Sequence, residues 1–220
     1  MSTMAKKTPS AKGAASRERL LEAAAQVLSE KGYAGTRLSD VAKIAGVQVP
    51  ALYYYFESRE QLIAEVLRQG QRALIENVTN AVDELPLDST AVERLDTAVR
   101  VHMVTQLRLS AFATAVARNA NHAPPEVQKD LEPKGREYLD FWDKLVREAG
   151  EEPRSEFDVR VTRMLLIGAL NSAVDWYRPA RGTLEALIHS AQTAVRRMVG
   201  CAEDAAPPAA VGVESAALGA

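Results

Sequence analysis

The residues best equipped for recognition form one short block, Gln48-Val-Pro-Ala-Leu-Tyr-Tyr-Tyr-Phe56. Read as a helix, it places its apolar anchors Leu52 and Phe56 four apart on one side, leaving Gln48, Val49, Pro50, Tyr53, Tyr54 and Tyr55 to line the other. A glutamine amide donates and accepts at once and so can read a base edge, adenine above all, while a valine can touch the methyl of thymine. Tyrosine hydroxyls suit phosphate oxygens, which fix register without reading sequence. Just upstream, Ala45-Gly46-Val47 joins the block to a second helical segment, and glycine permits the chain reversal that sets one helix across another. The two segments predict a helix-turn-helix whose second helix is offered to DNA.

The elements that must position this block are helical throughout. Leu21, Ala24, Ala25 and Leu28 follow the i, i+3, i+4, i+7 rule, as do Ile63, Val66, Leu67 and Gly70, and no alternating strand pattern competes. Start and stop signals divide the chain into about nine helices. The first spans about 17–31, capped by Ser16 and stopped at Gly32; the second and third span about 38–45 and 49–55. A fourth begins after the capping box Ser58-x-x-Gln61 and runs past residue 80 toward Pro86; Thr90-x-x-Glu93 opens a fifth. Ser110 to Arg118 is a short sixth, and Pro124-Pro125 opens a seventh that Pro133 should kink or break. An eighth runs from Ser155 through Tyr177, and a ninth from Thr183 to Val199. In the fourth, Gly70 is a candidate pivot or a point of close packing. The expected fold is all-α, with residues 1–15 a flexible basic tail and 201–220 a flexible Ala/Pro-rich one.

Composition narrows the function classes. With 47% hydrophobic and 25% charged residues among 220, the chain has globular composition and no apolar run long enough to span a bilayer. The net charge of −2 hides an asymmetry: residues 1–60 carry 9 basic and 6 acidic side chains, so the positive end is the one with the helix-turn-helix. A single cysteine, Cys201, excludes a disulfide framework and a cysteine-rich zinc site, and with no secretory pattern the expected location is the cytoplasm. No P-loop, dinucleotide fingerprint, zinc-protease motif or nucleophile elbow is present, and the Glu151-Glu152 pair reads as solvated, so neither catalysis nor a metal or cofactor is expected.

Gly32-Tyr33-x-Gly-Thr36, then Asp40-Val-Ala-x-x-Ala-Gly-Val47, then Leu52-Tyr-Tyr-x-Phe56-x-Ser58-Arg-Glu60-x-Leu62 resembles the DNA-binding domain of TetR-type transcriptional regulators. The resemblance implies a three-helix DNA-binding domain over 16–62, joined through a long fourth helix to an effector-binding and dimerisation domain over 63–200. It places Arg37 and Gln48 to Pro50 near the groove, and Tyr53, Tyr54, Tyr55 and Arg59 near phosphates. The family usually has Ser or Thr at position 37, Ser at 48, Gly at 50, His at 55 and Lys at 59, so the departures lie mostly on the DNA-facing side. Lys6, Lys7, Lys12, Arg17 and Arg19 form either a phosphate-contacting arm or a solubilising tail.

In the larger domain, Met164-Leu-Leu-Ile-Gly-Ala-Leu170 is apolar nearly all round, and Gly168, Ala169, Ser172 and Ala173 allow close helix approach. An internal core would explain the same pattern; the resemblance favours a homodimer interface that also includes Trp176. Met103, Phe112, Tyr138, Phe141, Trp142, Leu166 and Asn171 offer an apolar effector pocket with a few polar contacts, with His102 and His122 in reserve. Leu166 to Asn171 followed by Trp176-Tyr-Arg-Pro179 resembles the TetR-type regulators of fatty-acid and sterol catabolism that respond to acyl-CoA thioesters. Those regulators often carry an arginine where Asp175 stands, and an aspartate there repels phosphate unless Arg160, Arg163, Arg178 or Arg181 compensates. The function expected is a ligand-responsive repressor that binds a palindromic operator as a dimer and is released by a small hydrophobic effector. The alternative is a helical scaffold without sequence-specific DNA binding.

Overall fold

A computed structural model describes residues 11–150 and 155–201. Glu151-Glu152 and most of both expected tails lie outside the described residues. Among the described residues there are nine α-helices and no strand: α1 (Ala11–Gly35), α2 (Leu38–Ala45), α3 (Val49–Tyr55), α4 (Arg59–Asp83), α5 (Ala91–Val104), α6 (Ala111–Asn119), α7 (Pro125–Ala149), α8 (Glu156–Trp176) and α9 (Leu184–Val199).

The helix starts follow local chemistry. Ser58 Oγ accepts from Gln61 N at 3.0 Å, while the Gln61 side chain reaches past the cap to Glu57 N at 2.6 Å. Thr90 and Glu93 close a reciprocal capping box, with Thr90 Oγ1 accepting from Glu93 N at 3.1 Å and Thr90 N donating to Glu93 at 2.7 Å. Ser110, Ser155 and Thr183 cap α6, α8 and α9 through their hydroxyls. Three expectations shift. α1 begins at Ala11, so Ser16 lies inside it; its helical geometry breaks at Gly32, as expected, and one further turn runs to Gly35. A turn of π-helix, Thr105–Leu109, extends α5.

The third difference is α7, which continues through Pro133. The proline removes a backbone donor without ending the helix, and two residues before it Gln71 Nε2 of α4 donates to Leu131 O at 3.0 Å, holding this part of α7 against α4. Gly135 leaves room for it, since a Cβ there would stand 3.2 Å from the same Nε2.

Two apolar cores share α4. Leu62, Ile63, Val66 and Leu67 pack in the first with Leu21 and Leu28 of α1, Val41 of α2, Leu52 of α3 and Ala115 of α6. Leu74, Val78 and Val82 pack in the second with residues of α5, α7, α8 and α9. Between them sits Gly70. A Cβ at this position would lie 2.2 Å from the Phe112 carbonyl oxygen and 2.6 Å from Val116 Cγ2, so α4 and α6 touch backbone to side-chain position. Of the two expected roles, the geometry matches close packing.

Gly70→Ala therefore forces backbone apart and lowers stability by about 1–3 kcal/mol despite alanine's better helix propensity. Urea unfolding of the full chain measures it.

Candidate DNA interface, effector site and assembly face

The reading unit is built by a left-handed turn. Gly46 closes α2 at φ 68° and ψ 36°, a conformation that disfavours any side chain, and Val47 N donates to Ala42 O at 3.0 Å. Pro50 in the first turn of α3 supplies a preset φ where no intrahelical donor is needed. Leu52 and Phe56 are buried as the spacing implied, and they hold α3 to the first core.

What remains outward is a polar and aromatic surface. Arg37, Gln48 and Pro50 are exposed, Tyr53 is 56% exposed and Tyr54 is 84% exposed. Gln48 is exposed and precedes α3 without spending its side chain on a cap. Val49 and Tyr55 are half-buried against the core, and Tyr55 meets Tyr54 edge-on with ring centroids 5.0 Å apart. Lys43 and Ile44, near the end of α2, are also exposed; sequence spacing did not single them out.

Arg59, expected near phosphates, engages its guanidinium within the domain. Its Nε donates to Thr36 O at 2.7 Å, Nη2 donates to Tyr33 O, and the guanidinium lies 4.8 Å above the Tyr33 ring. It ties the start of α4 to the end of α1, and Nη1 also pairs with Glu60. A carbonyl-capping role of this kind leaves no trace in residue type.

Six of the seven expected pocket residues belong to one region. Met103, Tyr138, Trp142 and Leu166 are buried in the second core, with Phe141 and Asn171 half-buried at its margin. Three of them, Tyr138, Trp142 and Asn171, meet the His102 side chain. Its Nδ1 lies 3.0 Å from the Tyr138 hydroxyl and its Nε2 lies 3.1 Å from Asn171 Oδ1, which also accepts from Gln106 Nε2 at 2.7 Å. A neutral ring that donates from Nε2 and accepts at Nδ1 satisfies every partner. The rings of Tyr138 and Trp142 flank it, stacked and edge-on. Burial lowers the His102 pKa to about 4, against the opposing Asn171 hydrogen bond, and burial raises that of Tyr138. Phe112 lies elsewhere. It lines an open cleft of about 240 Å³ with Glu18, Gln69, Arg72, Ala73, Glu76 and Ser110.

On α8, Phe157, Val161, Met164, Leu165 and Trp176 are exposed apolar side chains, and exposed Gly168, Ala169 and Ser172 continue their stripe. Trp176 Nε1 donates to Ser172 Oγ at 3.1 Å, holding the indole along the helix. Ala173 is corrected from the expected set: it is 1% exposed and packs inward, because one residue further along a helix is a rotation of about 100°. Among the possible compensators for Asp175, Arg163 is committed to Asp143 at 2.9 Å. Asp175 itself is paired with Arg118 of α6 at 3.2 Å. Among the described residues there is no cluster of metal-ligating side chains, and no helix is long and apolar enough to cross a membrane.

A helix-turn-helix presented on an all-helical body is the architecture of a DNA-binding transcriptional regulator. Residues 20–66 match the bacterial regulatory proteins of the tetR family, and residues 88–199 match the tetracyclin repressor-like C-terminal domain. The chain belongs to the TetR family of transcriptional regulators, and its relatives are regulators, not enzymes. It is 30% identical over 171 residues to the HTH-type transcriptional repressor KstR2 of Rhodococcus jostii, covering 74% of this chain and 80% of that one. It is 24% identical over 157 residues to the fatty acid metabolism regulator protein of Bacillus subtilis, covering 70% and 79%. A crystal structure of AibR in complex with isovaleryl coenzyme A and operator DNA shares the fold, with a TM-score of 0.71, 21% identity, and coverage of 81% of this chain and 97% of that one.

Two outcomes separate surface from support. Tyr54→Ala leaves unfolding within about 0.5 kcal/mol of wild type while DNA affinity falls several-fold; Arg59→Ala strips two carbonyls of their donor and costs about 1–3 kcal/mol of stability. Urea titration and fluorescence anisotropy on labelled DNA distinguish them.

His102 gives a pH signature. Its folded pKa lies below the unfolded value, so the unfolded chain takes up the proton first. Stability is full above about pH 6.5 and declines as pH falls toward about 4, by about 3 kcal/mol from this residue. His102→Gln removes that part of the slope in a series of urea unfolding curves.

Proposed function

We propose that the protein is a homodimeric repressor that binds a palindromic operator and leaves it when a small hydrophobic effector, an acyl-CoA thioester, binds the larger domain. The observation that carries the DNA reading is the exposed set Gln48, Pro50, Tyr53 and Tyr54 on and beside α3, held outward by the Gly46 turn. Gln48 reads a base edge, Arg37 and Val49 lie near the groove, and Tyr53, Tyr54 and Tyr55 hold phosphates; Arg59 acts by bracing the unit. In this reading residues 16–62 are the DNA-binding domain and 63–200 the effector-binding and dimerisation domain, working in the cytoplasm.

Dimerisation is supported by the exposed stripe from Phe157 to Trp176, where Met164, Gly168, Ala169 and Ser172 permit a second helix to approach. A two-fold axis then presents two copies of α3 to successive major grooves, about 34 Å apart. The effector reading is supported by the aromatic and amide groups around His102, and by relatives named as regulators of fatty-acid metabolism and as KstR2. The acyl chain lies against Met103, Phe141, Trp142 and Leu166, with Tyr138 and Asn171 meeting its polar end. Release follows because the effector favours an arrangement in which the two copies of α3 no longer match adjacent grooves.

Selection of genomic fragments by the purified protein at near-physiological salt, followed by sequencing, tests the reading. An inverted repeat upstream of particular genes is expected; recovery of random, salt-sensitive fragments alone overturns it. Met164→Glu in the exposed stripe yields a monomer by sedimentation and loses the inverted repeat while its helix content stays unchanged.

A further inference from the structure

One side chain joins the DNA-reading helices to α8. Arg118 lies half-buried in the last turn of α6. Its Nη1 donates to Ser29 O near the end of α1, and its Nη2 donates to Val174 O in the last turn of α8. Its Nε stands 3.2 Å from Asp175 Oδ1. The next residue, Asn119, donates from Nδ2 to Leu28 O at 3.3 Å. The straight part of α1 stops at Gly32 and α8 stops at Trp176, so these carbonyls lie in final turns, where intrahelical donors run out and the helix dipole favours a cation.

The position is strategic on both sides. Three residues before Val174 on the same helix stands Asn171, the acceptor shared by His102 and Gln106. On the other side, Leu21 and Leu28 of α1 share a core with Leu52 and Phe56, the residues that seat the recognition helix. A displacement of α8 at Asn171 reaches Val174 and Asp175 within one helical turn. If Arg118 holds both ends, α1 must follow.

We infer that Arg118 is the coupling residue of this protein: its guanidinium makes the position of α8 a determinant of the position of α1, and so passes a change at the Asn171 cluster to the DNA-reading helices. The inference rests on the functional reading above for its biological meaning, but its physical content does not require an effector. Asp175 serves the coupling as counter-ion to Arg118. The aspartate that is unsuited to a phosphate is thereby suited to hold this guanidinium at the end of α8.

A double-mutant cycle tests it in the full chain, with amide hydrogen exchange of the last turn of α1 as the readout. Asn171→Ala accelerates that exchange in the wild-type background, about fivefold, and leaves it unchanged when Arg118 is replaced by methionine, which keeps the stem and removes the donors. Should R118M unfold, R118K carries the same cycle, because one ammonium cannot span both carbonyls. Equal acceleration with and without Arg118, or none in either background, overturns the inference. A second readout uses isovaleryl coenzyme A and a DNA fragment selected by the wild-type protein. R118M is expected to bind that fragment within about threefold of wild type and to lose at least about fivefold of the thioester-induced release. Loss of DNA binding by R118M, with release by the thioester undiminished in what binding remains, marks Arg118 as a structural prop and overturns the inference. If the wild-type protein is not released by the thioester, the acyl-CoA reading fails, and the exchange cycle still decides for or against Arg118.

Discussion

The near-contact of Gly70 with the Phe112 carbonyl constrains the rest of the molecule. With no room for even a methyl group between them, α4 and α6 form a single rigid piece. α4 passes from the first core into the second, about 37 Å from end to end for its 25 residues. α6 lies across it with Ala115 in the first core and Arg118 reaching α8. A motion that begins among the aromatic side chains of the second core cannot be absorbed by sliding one of these helices over the other. It must either be resisted or be carried onward as movement of the pair.

That rigidity gives the polar groups around His102 their meaning. A histidine with both nitrogens engaged, enclosed by Tyr138 and Trp142 and held neutral by burial, defines one arrangement of α5, α7 and α8. A molecule that competes for Asn171 or Tyr138 offers a second arrangement. The π-helical turn at Thr105–Leu109 contains Gln106, whose amide donates to Asn171 Oδ1.

Much of the fold was legible because its signals are local. The bounds read for α2 and α3, about 38–45 and 49–55, agree with the structure because Gly46, Gln48 and Pro50 act within a residue or two of where they stand. The capping residues Ser58, Thr90, Ser110, Ser155 and Thr183 also act locally. Pro133 was misleading because the packing of α7 against α4, where Gln71 also bonds Leu131 O, outweighs one lost backbone bond, a tertiary effect that periodicity does not register. The candidate site was legible to the extent that burial followed from spacing. Leu52 and Phe56 turn in and Tyr53 and Tyr54 turn out, but Arg59 and Arg118 spend their charge on carbonyls distant in the chain, which no motif encodes. Ser172 and Ala173 look equivalent as small residues and yet occupy different faces.

The two tryptophans of the chain stand in opposite environments. Trp142 is fully enclosed beside His102, whereas Trp176 is 54% exposed at the end of the α8 stripe. Tryptophan emission from this protein, excited beyond the tyrosine band, is therefore the sum of two components, a blue one shielded from aqueous quenchers and a red one open to iodide. One optical channel reports on the interior where a small molecule would lodge and the other on the face where a second subunit would settle, with no label attached to either.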